Sequence, residues 1–181
     1  MPMAHVALTL QLTVGGTFLL AGMAKLRRPK EIRAIVSSLS ARVGICSPLI
    51  SSAAAWALIT AEIAAGSTVL ARAWLGDVGL VLAAVLLLTF TGLAIASAAG
   101  VVKLSCACFG RASTVLGWRH VFRNSLLLGM AAVVIASPEP PADFGSLAVS
   151  AMAALVLTAI IASLDAIVDL YSLPTRPSRS A

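Results

Sequence analysis

Five apolar stretches, each about as long as a bilayer is thick, limit what this chain can fold into. They run from about His5 to Ala24, Pro48 to Leu70, Val78 to Val102, Trp118 to Ala136 and Phe144 to Leu170. A hydrocarbon core of about 30 Å takes about 20 helical residues. None of the stretches alternates with period two, so helices are expected and barrel strands are not. Composition agrees. Of 181 residues, 60% are hydrophobic and 11% charged, with mean hydropathy +1.01, against about 45–50% and about 25% in soluble domains. So few charges cannot coat a water-facing surface. The expected fold is all-α, an integral membrane bundle of five transmembrane helices over residues 1–173. It divides into a core at about 5–137 and an extra helix at about 144–172. The Pro/Ser/Arg-rich tail, 174–181, is expected to be disordered. No internal repeat stands out.

The net charge of +6 invites a nucleic-acid reading. No basic stretch is interleaved with aromatic residues, however, so no nucleic acid is expected as a partner. The cations instead mark one membrane face. Lys25, Arg27, Arg28, Lys30, Arg33 and Arg42 fall in the first connection, Lys103, Arg111, Arg119 and Arg123 in or beside the third, and Arg176 and Arg179 in the tail. These are twelve of the thirteen basic residues; Arg72 alone lies opposite, with Asp77, Glu139 and Asp143. The positive-inside rule then puts the N-terminus out and the C-terminus in. The first stretch is expected to stay as an uncleaved span, because "MPMA" lacks a cation and "KLRRPK" stands where a cleavage site would be.

The third connection reads "LSCACFGR" and holds Cys106 and Cys108. Cys46, the remaining cysteine, ends the first connection, on the same face. Residues two apart point to different sides of a helix, but in a turn their Cα atoms can come within the roughly 4.4–6.8 Å that a disulfide spans. A ring so small is strained, and strained disulfides exchange readily. Lys103 and Arg111 beside the pair favour thiolate over thiol. The leading reading is a thiol–disulfide exchange pair, Cys106 and Cys108, with Cys46 as a candidate resolving thiol. Two alternatives stay open. Cysteines in apolar helices are commonly small hydrophobes, and Cys46 fits that description equally well. A metal site would have only Cys46 and His120 to add to an uncommon spacing, with Cu(I) the best fit; none is expected.

Charges inside the spans form the second set of candidates. Glu62 falls near the middle of the second stretch, where an ionisable group is costly and faces the bundle interior. It is either a protonated or paired structural residue, or a proton relay or quinone contact. Arg123 is expected to pair with Asp165 or to pack against the third connection; Asp165 and Asp169, four apart, share a helix face. No Ser-His-Asp set, phosphate loop or HExxH pattern supports a hydrolase or kinase.

Four patterns carry a family resemblance: "LLAGMAKL" closing the first helix, Glu62 and Gly66 in "ITAEIAAGSTVLA", Cys106, Cys108, Phe109 and Gly110 in "CACFG", and Trp118, Arg123, Asn124 and Leu127 in "GWRHVFRNSLLL". In these the chain resembles the MauE family of methylamine-utilisation membrane proteins, within the DoxX-like group, over about residues 10–137. The C-x-C-F-G followed by R-N-x-x-L is the specific part. The resemblance implies a DoxX-like four-helix core plus a fifth helix, in a bacterial plasma membrane. It implies a redox-associated protein, a membrane thiol–disulfide oxidoreductase if it is an enzyme. It also implies a thioredoxin-like partner and help in maturing an exported, disulfide-rich protein, methylamine dehydrogenase light subunit. Phe109, Gly110, Lys103, Arg111, Arg123, Asn124 and Glu62 would support the pair. No cofactor is required, though a quinone would suit a redox relay. The family pattern has no place for Cys46.

Two other functions compete: a non-catalytic membrane scaffold or chaperone for that partner, and a metal or small-solute carrier. One tension follows. The charge rule sets "CACFG" at the cytoplasmic face, while the implied substrate is exported. Electrons passed across from a cytosolic thiol donor, a re-entrant connection, or an inverted orientation would each resolve it.

Overall fold

The computed structural model describes residues 2–42, 44, 47–71, 76–100, 117–137 and 144–171. Within them the chain is all-helical, in the order α1 (Pro2–Leu26), α2 (Pro29–Arg42), α3 (Pro48–Ala71), α4 (Gly76–Ala98), α5 (Trp118–Ala136) and α6 (Phe144–Tyr171). Five of these, all but α2, are long and apolar enough to cross a membrane, and their bounds lie within a few residues of the five apolar stretches. The protein is a multi-pass membrane bundle.

Without a hydrophobic drive between helices in lipid, close packing of small residues has to hold them together. The α1–α3 contact shows this. A methyl group added to Gly66 would lie 2.8 Å from the Gly15 carbonyl oxygen and 2.8 Å from the backbone nitrogen of Leu19. The two backbones therefore touch where only glycine fits. One turn further along, the Gln11 side-chain amide donates a buried 2.8 Å hydrogen bond to the Val69 carbonyl. Gly22 lies against Glu62 and Ile63. The sequence of these contacts makes α1 and α3 antiparallel.

Leu80 packs with Ala131, Leu87 with Leu127, and Ala94 with Val121, so α4 and α5 are antiparallel too. Val14, Phe18, Ala65, Ala83, Leu87, Leu127 and Ile161 form one buried cluster to which all five spanning helices contribute. The outward faces carry large apolar residues, among them Leu49, Phe144, Met152, Leu155 and Val156, as a lipid-facing surface should.

The first connection contains structure that the apolar stretches do not announce. Residues 29–42 form α2 rather than an irregular loop. Pro29 opens it, where a missing N–H costs nothing, and Glu31 sits in its first turn, favourable to the helix dipole. Ile32 is buried and Ile35, Val36 and Leu39 are half-buried, while Arg33, Ala34, Ser37 and Ser38 are exposed. That stripe packs α2 onto α3, and Leu39 reaches the contact of Leu93, Ala94 and Val121. The amphipathic helix thus covers the bundle at the end that carries the cationic connections.

Candidate functional site: a buried charged layer across the bundle

Lys25 occupies the last turn of α1. A lysine there would ordinarily extend its ammonium toward the headgroups. Instead it is 2% exposed and turned inward. Its Nζ donates to Glu62 Oε1 in a buried ion pair. The ammonium also lies 5.1 Å from the centroid of the Phe90 ring on α4, within reach of a cation–π attraction. Three helices are thereby joined through one charged group. Glu62 is thus a paired residue. Its partner is a residue that the sequence places in a connection.

Helix α5 supplies the other half of the layer. Its buried residues are His120, Arg123, Asn124, Leu127 and Ala131, one face at helical spacing. The helix starts at extended Gly117, whose carbonyl accepts the backbone N–H of His120 and whose own N–H donates to His120 Nδ1 at 3.4 Å. Arg123 and Asn124 are each 5% exposed.

Packing register brings the halves to one depth. Ala65 and Leu127 share the central cluster, and α3 and α5 run in the same direction. Glu62 precedes Ala65 by one turn, and Arg123 and Asn124 precede Leu127 by one turn. Phe90 follows Leu87, another cluster member, by one turn on antiparallel α4. Lys25, Glu62, Phe90, Arg123 and Asn124 therefore form a layer on the side of the core that faces α2. The last turn of α4 and the first turn of α5, between which "CACFG" falls in the sequence, lie on that same side.

Of the residues singled out from the sequence, Glu62, Arg123 and Asn124 are buried in this layer. Cys46, Lys103, Cys106, Cys108, Phe109, Gly110 and Arg111 lie outside the described residues, as do the side chains of Asp165 and Asp169, and with them the expected pairing of Arg123. No cluster of three metal-ligating side chains occurs among the described residues. Sequence reasoning missed Lys25 and Phe90. The "AGMAKL" ending of α1 was the only available signal for Lys25; Phe90 had none.

The class is thus an all-helical membrane bundle with an ion pair and further polar side chains sealed inside it. The family model for methylamine utilisation protein MauE matches residues 3–137. That is well over half of the chain, and the chain belongs to the MauE family. The match ends at Ser137, which caps α5, so α6 lies beyond it. Neither a curated protein nor a solved structure gave a match.

Proposed function

We propose that this MauE-family membrane protein performs thiol–disulfide exchange through Cys106 and Cys108, at the face where its cationic connections lie. The observation that carries the reading is the buried layer of Lys25, Glu62, Arg123 and Asn124. It sits on the side of the core where the C-x-C segment joins α4 to α5. The cations that flank the pair in sequence, Lys103 and Arg111, favour anionic sulfur over thiol.

The step is a dithiol–disulfide swap. A thiolate of a thioredoxin-like partner attacks one sulfur of the Cys106–Cys108 disulfide and forms a mixed disulfide. The partner's second thiolate then attacks its own bridged sulfur. Two electrons pass to Cys106 and Cys108, which take up protons as they become thiols. The partner leaves as a disulfide. Run in reverse, the same swap oxidises the pair, and no other reactant is required. The end served is the maturation of an exported disulfide-rich protein; the family name points to methylamine utilisation, and the resemblance implies methylamine dehydrogenase light subunit. The charge bias favours the N-terminus outside and the C-terminus inside, which sets the pair at the cytoplasmic face; it serves an exported substrate only by passing electrons across the membrane or if the orientation is inverted.

Thiol trapping in cells tests this. With Cys108→Ser, Cys106 is expected to accumulate as a mixed disulfide with a thioredoxin-like protein, visible as a reductant-sensitive band. The double variant Cys106→Ser/Cys108→Ser should lose both the band and maturation of the substrate. Full maturation by that double variant would sink exchange and leave the scaffold reading.

A further inference from the structure

A second site lies between α1 and α6, apart from the charged layer. The two helices run parallel and touch at Gly16, where an added methyl would lie 3.3 Å from Thr158 Oγ1. Beyond that contact, toward the cationic end, they leave a cavity of about 430 Å³. Leu20, Ala24, Ala159, Ala162 and Ser163 line it, and Arg27 and Arg28 stand at its mouth. The size is within the roughly 300–1,000 Å³ of ordinary ligand pockets.

Its chemistry changes along its length. The walls inside the span are mostly apolar, Leu20 and three alanines with Ser163 beside them, and the small residues leave them bare. The mouth carries two guanidiniums just past the last turn of α1, both exposed. Glu31 meets Arg28 at 3.4 Å, an exposed pair of small energetic weight. Lys25, buried against Glu62, is not part of its lining. A ligand that fits has a hydrocarbon chain at one end and an anionic, bidentate oxygen group at the level of the membrane surface. Guanidinium forks match phosphate in that way, and basic pockets between spanning helices are suited to anionic headgroups.

We infer that the α1–α6 groove is a binding site for an anionic phospholipid, whose phosphate is held by Arg27 and Arg28 and whose acyl chain lies along Leu20, Ala24, Ala159 and Ala162. The lipid would fill the gap that small side chains leave between α1 and α6 below the Gly16 contact. The inference is independent of the cysteine chemistry.

The test uses the full chain, purified in detergent, exposed to equal phosphatidylglycerol and phosphatidylcholine, and read by native mass spectrometry. Wild type is expected to retain one phosphatidylglycerol in preference to phosphatidylcholine. Loss of a cation near the surface should weaken retention about fivefold, so Arg27→Gln/Arg28→Gln should weaken it about 25-fold. Ala159→Phe, which fills the groove and leaves both charges, should abolish retention without lowering the melting temperature. Arg33→Gln, on the exposed face of α2, should change nothing. Equal loss with Arg33→Gln would overturn the site in favour of general surface charge. Binding absent in wild type but gained with Asp165→Asn would overturn it too, since the arginines would then be serving the acidic end of α6.

Discussion

At the scale of single residues, the Lys25–Glu62 pair decides how much the bundle tolerates. Two opposite charges removed from water hold each other only while both are present. Truncating one partner of a buried pair costs about 3–5 kcal/mol, whereas replacing both with apolar residues of similar volume is often neutral. Lys25→Met and Glu62→Met are each expected to lower stability strongly. The double variant should recover most of the loss, as measured by unfolding in detergent. If the double variant keeps its fold yet loses function while Cys106 and Cys108 still oxidise, the pair contributes beyond packing. Glu62 was legible in the sequence because a carboxylate amid Ile, Ala and Gly demands a partner. Which partner was not legible: Lys25 lies 37 residues away and reads as the first cation of a connection. Only the antiparallel register of α1 and α3 brings the two together.

At the scale of elements, the same limit separates what was readable from what was not. Each spanning helix is announced by its length in apolar residues, since a bilayer admits little else. Helix α2 is short and has cations on either side of its apolar stripe, so a reading tuned to long apolar runs passes over it. Its spacing of Ile32, Ile35, Val36 and Leu39 was the available signal. Ile32→Ala should cost about 2–4 kcal/mol if α2 is docked as described, whereas Ser37→Ala on the exposed face should change stability by less than about 0.5 kcal/mol. Protease nicking within 29–42 in the Ile32→Ala variant is the direct readout. The α1–α3 contact gives a sharper case. Gly66→Ala must push against a backbone oxygen 2.8 Å away, and overpacking of this kind costs about 1–3 kcal/mol. Gly92→Ala, with open space around it, should be harmless in the same assay.

At the scale of the whole molecule, the alternation of five spans puts α2, the end of α4 and the start of α5 on one side, and the end of α3, the start of α4 and the end of α5 on the other. In a cysteine-free background, Ser37→Cys and Ala71→Cys should react with an impermeant maleimide from opposite sides. With the N-terminus outside, Ala71→Cys is labelled in intact cells and Ser37→Cys only after permeabilisation. The reversed pattern would invert the orientation and set Cys106 and Cys108 facing the exported substrate. The buried ion pair also constrains how the protein is made. When α1 leaves the ribosome, Lys25 is near its end and can wait at the bilayer surface. Glu62 cannot, because it arrives near the middle of α3, where a charged side chain costs about 2.5–3.5 kcal/mol on insertion. The third helix can therefore settle cheaply only beside a first helix already in place. Assembly is thus expected to run in synthesis order, with the lysine of the oldest segment held ready for the acid of a younger one.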